Sequence, residues 1–180
     1  AGGCGLNVLF YEDFASNAAG WTLGPNWQIG PTSVSSCTSG GGSNPDPAMD
    51  ATPTSDNGVA GVVIGGCPAV VVQPFSYITS PPFDTTALPN LTLAFQRWLN
   101  SDYLPYMQNR VEVRDGANWI VLWESGPSPA VRDSSWTPQT FDLSPYRSTY
   151  TQVRWGYNIG SAGAFTVSSW NLDDVYLLWE

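Results

Sequence analysis

Arg110-Val111-Glu112-Val113-Arg114-Asp115-Gly116-Ala117-Asn118-Trp119-Ile120-Val121-Leu122-Trp123-Glu124 is the stretch that decides the fold. Val111 and Val113 alternate with Glu112 and Arg114, the two-residue period of a strand with one face buried. Asp115-Gly116 brings turn chemistry suited to a β-hairpin, and Trp119 to Glu124 reads as the returning strand. Upstream, Leu91 to Leu99 repeats the pattern, with Leu91, Leu93 and Phe95 on one face and Thr92, Ala94 and Gln96 on the other. Further strands are expected at Leu6–Tyr11, Trp21–Ile29, Gly58–Ile64, Val70–Thr79 (interrupted by Pro74), Trp136–Leu143, Thr151–Ile159, Phe165–Trp170 and Val175–Trp179. About eleven short strands, separated by Gly, Pro, Asn and Asp and with almost no helical periodicity, predict an all-β, two-sheet antiparallel sandwich. The 180 residues suit a single domain. The Gly/Ser/Pro-rich segment at about residues 35–57 reads as a long loop within it. Trp98, Trp119, Trp123, Trp155 and Trp170 fall in strand-like runs and are expected to pack in or against the core.

The charge and residue inventory exclude much chemistry. There is no His and no Lys, and six Arg face fifteen carboxylates for a net charge of −9. A nucleic-acid partner needs a basic face, and anionic membranes repel such a surface. Without His, nucleophilic triads and His-ligated transition metals cannot be assembled within the chain; without Lys, Schiff-base chemistry is absent. Carboxylate chemistry and oxygen-ligated metals survive. No run approaches the ~20 apolar residues of a membrane-spanning helix, so no membrane insertion is expected. Cys4, Cys37 and Cys67 form no CxxC pair. A disulfide between Cys37 and Cys67 is preferred because it would close the Gly-rich loop. It would leave Cys4 as a free or intermolecular thiol. Asn90-Leu91-Thr92 is a glycosylation sequon compatible with export.

Phe10-Tyr11-Glu12-Asp13-Phe14, Gly20-Trp21, Asp50-Ala51-Thr52, Asp56-Asn57-Gly58, Ser80-Pro81-Pro82-Phe83-Asp84, Gln152-Val153-Arg154-Trp155 and Ser169-Trp170-Asn171-Leu172-Asp173-Asp174-Val175 follow one another in an order that resembles the MAM domains. It is similar also to the bacterial cleaved-adhesin and choice-of-anchor-J groups. The resemblance runs from about Tyr11 to Leu177 and implies a MAM-like, galactose-binding-like jelly roll. Where those modules carry Asp-His-Thr, this chain has Asp50-Ala51-Thr52, and its cysteines do not follow the vertebrate MAM pattern. The resemblance implies a structural cation where the first and last strands end, implicating Glu12 or Asp13, Asp50, and Asp173 or Asp174. Physical chemistry supports it: neighbouring terminal strands would crowd these acids, and Ca²⁺, which takes about six to eight oxygens, would relieve their repulsion. The alternative is that the acids are solvated turn residues.

A second candidate is the loop between two strong strands that carries Asp102, Tyr103, Tyr106, Met107, Asn109 and Arg110. Tyrosines among hydrogen-bonding side chains suit ligand or partner contact; the alternative is a loop folded over one sandwich edge. Glu112 and Glu124, on strands expected to be neighbours, could pair as the carboxylates of a glycosidase, but Glu112 alternates with apolar residues and reads as an ordinary outward position. The expected function is therefore non-catalytic adhesion or recognition at the cell surface, directed at carbohydrate or a protein partner. A self-associating subunit of an extracellular filament, sheath or surface layer is the second expectation.

Overall fold

The computed structural model describes residues 5–38 and 41–180; Cys4 lies outside them. Its eleven strands are β1 (Asn7–Glu12), β2 (Thr22–Leu23), β3 (Trp27–Pro31), β4 (Gly58–Val62), β5 (Gln73–Thr79), β6 (Thr92–Asn100), β7 (Met107–Asp115), β8 (Trp119–Glu124), β9 (Thr137–Asp142), β10 (Thr151–Ile159) and β11 (Ser169–Trp179). All pairings are antiparallel. The first sheet runs β3-β4-β11-β6-β9, with β1 also paired to β11; the second runs β2-β5-β10-β7-β8. The two sheets form a jelly-roll sandwich. β6 lies along one side of β11, so β4 at Asn171–Leu172 and β1 at Val175–Trp179 share the other. The first and last strands are thus neighbours, with Glu12 opposite Val175, although β11 is a central strand and not an edge.

Two segments depart from the sequence reading, for local reasons. Trp21–Ile29 is two strands, β2 in the second sheet and β3 in the first. The break is Gly24-Pro25-Asn26, where Asn26 has φ 71° and Gly24 donates to Tyr77 O at 2.8 Å. A Cβ on Gly24 would lie 2.7 Å from that carbonyl, so only glycine allows the chain to cross between layers here. Phe165 lies outside any strand, while Ser169 to Trp179 is one strand with a register shift between Asp173 and Tyr176 and Asp174 at φ 48°. That bulge adds a residue and turns the acids toward the segment that precedes β4.

Phe14, Trp155, Tyr157, Trp170, Leu91, Leu93, Leu99 and Leu172 are fully buried between the sheets. Each is worth about 2–3 kcal/mol of transfer free energy. Trp27 Nε1 donates to Ser76 O and Trp170 Nε1 to Gly156 O, both at 3.1 Å, whereas Trp155 Nε1 is buried without an acceptor. Trp98, Trp119 and Trp123 are only partly buried.

Residues 32–38 and 41–57 cross the outer face of the first sheet, held mainly by side chains that the strands point outward. Asn171 Nδ2 donates to Asp46 Oδ1 at 2.6 Å, and Trp98 Nε1 to Pro45 O at 3.0 Å. Ser168 Oγ donates to Asn44 O at 3.0 Å, and Asn44 N to Asn100 Oδ1 at 2.7 Å. The Cys37–Cys67 disulfide closes the segment onto the chain that follows β4.

Candidate functional site

Ala51, Thr52 and Tyr11 meet the last strand at Asp173 and Asp174. The Asp173 carboxylate is fully buried: its Oδ2 accepts Ala51 N at 2.7 Å, Thr52 N at 3.1 Å and Thr52 Oγ1 at 3.3 Å, and its Oδ1 accepts Asp174 N at 2.8 Å. Asp174 Oδ1 accepts from Thr52 Oγ1 at 2.6 Å and Tyr11 Oη at 2.8 Å. Burial pushes the Asp173 carboxyl up to about 7, against the backbone N–H bonds that favour its charge. Asp50 Oδ2 accepts from Thr54 Oγ1. Glu12 is buried and caps the turn after β1, taking Phe14 N at 2.9 Å and Trp21 Nε1 at 3.0 Å; Asp13 takes Ala15 N at 3.1 Å. The segments carrying Glu12, Asp50 and Asp173 are brought together. Phe14, Asn57 and Asp174 all adopt positive φ around them, and such strain gathers at sites that bind. The donors are hard oxygens, and the buried Asp173 has no cationic partner among the described residues, which fits calcium in chemistry. Among the described residues no three acidic or Cys side chains already converge as a metal-holding group.

The tyrosine loop is narrower as a contact surface than its composition suggests. Asp102, Met107 and Asn109 are buried. Asp102 accepts Tyr103 N and Phe165 N at 2.8 Å each, which ties the loop to residues 160–165. Met107 packs with Ile159, Ala164 and Val167. Asn109 Nδ2 donates to Ser101 Oγ at 2.6 Å. These three are structural: Asp102 satisfies backbone N–H groups, while Met107 and Asn109 belong to β7 and not to the loop. Tyr103 and Tyr106, in edge contact at 5.8 Å, stay partly exposed, as does Arg110. Asp133 is spent on Arg97 at 2.8 Å and on Leu99 N. Asn90 is half-buried, and its Oδ1 accepts Glu180 N at 2.8 Å.

The outer face of the second sheet presents a row of rings and guanidinium groups that the sequence reading did not assemble. Phe75 and Tyr77 come from β5, Arg154 from β10, Arg110 from β7 and Trp119 from β8. The Arg110 guanidinium lies 4.4 Å from the Phe75 ring centre, Phe75 and Tyr77 are stacked at 5.6 Å, and Arg154 sits between Tyr77 at 3.8 Å and Trp119 at 3.9 Å. Gly156, opposite Tyr77, leaves room for the ring: a Cβ there would come within 2.4 Å of Tyr77 Cδ1. Glu112 holds Arg154 through both its oxygens at 3.1 and 3.3 Å, and Glu124 holds Arg110 at 3.1 Å. Both carboxylates considered for a glycosidase pair are therefore engaged by arginines. Burial first, and then the bond to Glu112, holds the Tyr77 phenol above its usual range. A signal did exist: Phe75/Tyr77, Arg110/Glu112/Arg114 and Gln152/Arg154 each recur at spacing two. Only strand pairing shows that they share one face.

No family model and no curated protein matches this chain. Among solved structures, it is similar over 95% of its length to the K3 cleaved adhesin domain of Lys-gingipain from Porphyromonas gingivalis, at 16% identity, 99% coverage of that chain and a TM-score of 0.48. The CBM22-1 xylan-binding domain of Xyn10C from Paenibacillus barcinonensis gives 12% identity, a TM-score of 0.48 and coverage of 97% and 96%. A CBM35 from Paenibacillus barcinonensis gives 11% identity, a TM-score of 0.45 and coverage of 93% and 97%. The assignment to a jelly-roll sandwich rests on the strand order and pairing of the chain itself.

Proposed function

We propose that this chain is a non-catalytic, extracellular binding module that recognises carbohydrate on the outer face of its second sheet, with calcium bound at the chain ends for stability. The observation that carries the reading is the row Arg110–Phe75–Tyr77–Arg154–Trp119, whose members are all half-buried on a rigid sheet. Rings held this way lose little entropy on binding, and their apolar faces and edges suit the C–H surfaces of a sugar. Gln108, Glu124, Gln152 and Asn158 border the row with hydrogen-bonding groups suited to hydroxyls. Engagement of Glu112 and Glu124 by arginines supports binding over hydrolysis. The disulfide is consistent with an oxidising, extracellular compartment.

Calcium would be held by Asp173 with Asp50 and Glu12 or Asp13, and would supply the positive charge that the buried Asp173 lacks. The test of recognition is a glycan array followed by calorimetry with Tyr77→Ala and Trp119→Ala. Binding of a glycan that falls at least tenfold in each variant, with the fold retained by circular dichroism, is expected. Binding unaffected by both changes, or confined to protein partners, would overturn the reading.

A further inference from the structure

The sheet face described above carries a charge imbalance with a definite location. Three of the chain's six cations, Arg110, Arg114 and Arg154, stand on it in a protein that is otherwise strongly acidic. Glu112 and Glu124 neutralise Arg154 and Arg110. Arg114 has no ion-pair partner among the described residues.

Its position is nevertheless built. The Arg114 guanidinium lies 5.0 Å from the Tyr150 ring centre, and Trp119 is its cross-strand partner. Arg114 Nη1 donates to Gln152 Oε1 at 3.3 Å. Gln152 cannot turn its amide over without loss, because its Nε2 donates to Ser80 O at 2.9 Å. Arg114 Nε is buried and meets no acceptor. The neighbouring Asp115 does not serve as counter-ion: its Oδ1 takes Ala117 N at 3.1 Å and Asn118 N at 2.8 Å at the hairpin turn. One end of the row therefore offers an oriented, uncompensated guanidinium against an exposed tyrosine, on the strand that pairs with the half-exposed Trp119.

A guanidinium of this kind matches a carboxylate better than a hydroxyl, since a charge-assisted bond is roughly twice as strong as a neutral one. We infer that the glycan recognised on this face is acidic, a hexuronate-containing chain whose carboxylate is taken by Arg114 while a pyranose ring rests against Tyr150 and Trp119. The inference rests on the glycan-binding reading of the face. The protein's remaining negative charge does not forbid it, because at physiological salt charges beyond ~8 Å are largely screened.

The experiment uses the whole chain with oligomers of galacturonate, mannuronate and glucuronate, each beside its methyl ester, in which the ring is kept and the charge removed. Neutral xylo- and cello-oligosaccharides and poly-glutamate complete the set. Isothermal calorimetry is expected to give at least tenfold tighter binding for one of the acids than for its ester. Arg114→Gln should abolish that difference while leaving the ester's affinity within twofold, and Arg114→Lys should restore only part of it. A thermal melt of each variant within a few degrees of the parent shows that the fold is intact. If neutral oligosaccharides or esters bind as well as the acids, the uronate assignment is wrong and the glycan-binding face stands. If no glycan binds, both fall. Poly-glutamate binding that matches or exceeds the uronates would make the site one for acidic peptide, and this too overturns the inference.

Discussion

Asp46→Asn tests whether the loop across the first sheet is strapped as described. Asp46 is almost fully buried on the outer face of that sheet. Its Oδ1 accepts Asn171 Nδ2 at 2.6 Å and its backbone N donates to Ser35 Oγ at 3.0 Å. Its Oδ2 and Asn171 Oδ1 are both acceptors without a donor. A proton on Asp46 supplies the missing donor. Burial pushes its carboxyl up to about 6, more than offsetting the bonds from Asn171 and Ser35 that lower it. The folded state thus binds this proton more tightly than the unfolded chain, whose value is 3.8. The resulting stability is fully present below that value and is lost as pH rises to about 6. A shift of roughly two pH units corresponds to about 3 kcal/mol. The asparagine variant carries no charge to bury, so at pH 8 it should be stabilised by up to about 3 kcal/mol. For a chain of this length that means a Tm higher by roughly 6–12 °C. At pH 3.5 parent and variant should melt together. The assay is thermal unfolding followed by circular dichroism from pH 3.5 to 8 with chelator present, so that bound metal plays no part. An equal shift at every pH, or a variant less stable than the parent at pH 8, would refute the reasoning.

Three further outcomes are expected. Calcium removal with EDTA should lower the Tm, and Ca²⁺ but not Mg²⁺ should restore it; an unchanged melt counts against a cation at the chain ends. Asp173→Ala strips the acceptor from Ala51 N and Thr52 N. It should cost about 2–4 kcal/mol and raise amide exchange across residues 50–57 before it does so in the core, a selectivity that hydrogen-exchange mass spectrometry can check. Replacing Cys37 and Cys67 with Ser together reopens a sequence separation of 30 residues. It should cost about 3.5 kcal/mol by chain entropy, readable from the urea midpoint.

Much of the architecture is written in local pattern. The alternation of Val111 and Val113 with Glu112 and Arg114, and the Asp115-Gly116 turn, define β7 and β8 without reference to any distant residue. The pairing of Cys37 with Cys67 was also legible, because it closes the Gly-rich loop, and the adjacency of the first and last strands followed from the expected jelly roll. Other features depended on which strands lie side by side. Phe75, Tyr77, Trp119 and Arg154 share a face only because β5, β10, β7 and β8 are neighbours, and β-pairing partners are set by packing of the whole sheet. Asp102 and Asn109 have the composition of surface loop residues, yet Asp102 is buried because it accepts the backbone N–H groups of Tyr103 and Phe165, and Asn109 lies within β7, where its amide meets the hydroxyls of Ser101 and Ser125. Side-chain period thus determined the strands and the sandwich class, whereas the acids at the chain ends were singled out by the resemblance to MAM-like jelly rolls. The binding face, the strap over the first sheet and the isolation of Arg114 arose only in the tertiary structure, since burial and charge compensation are properties of neighbours in space.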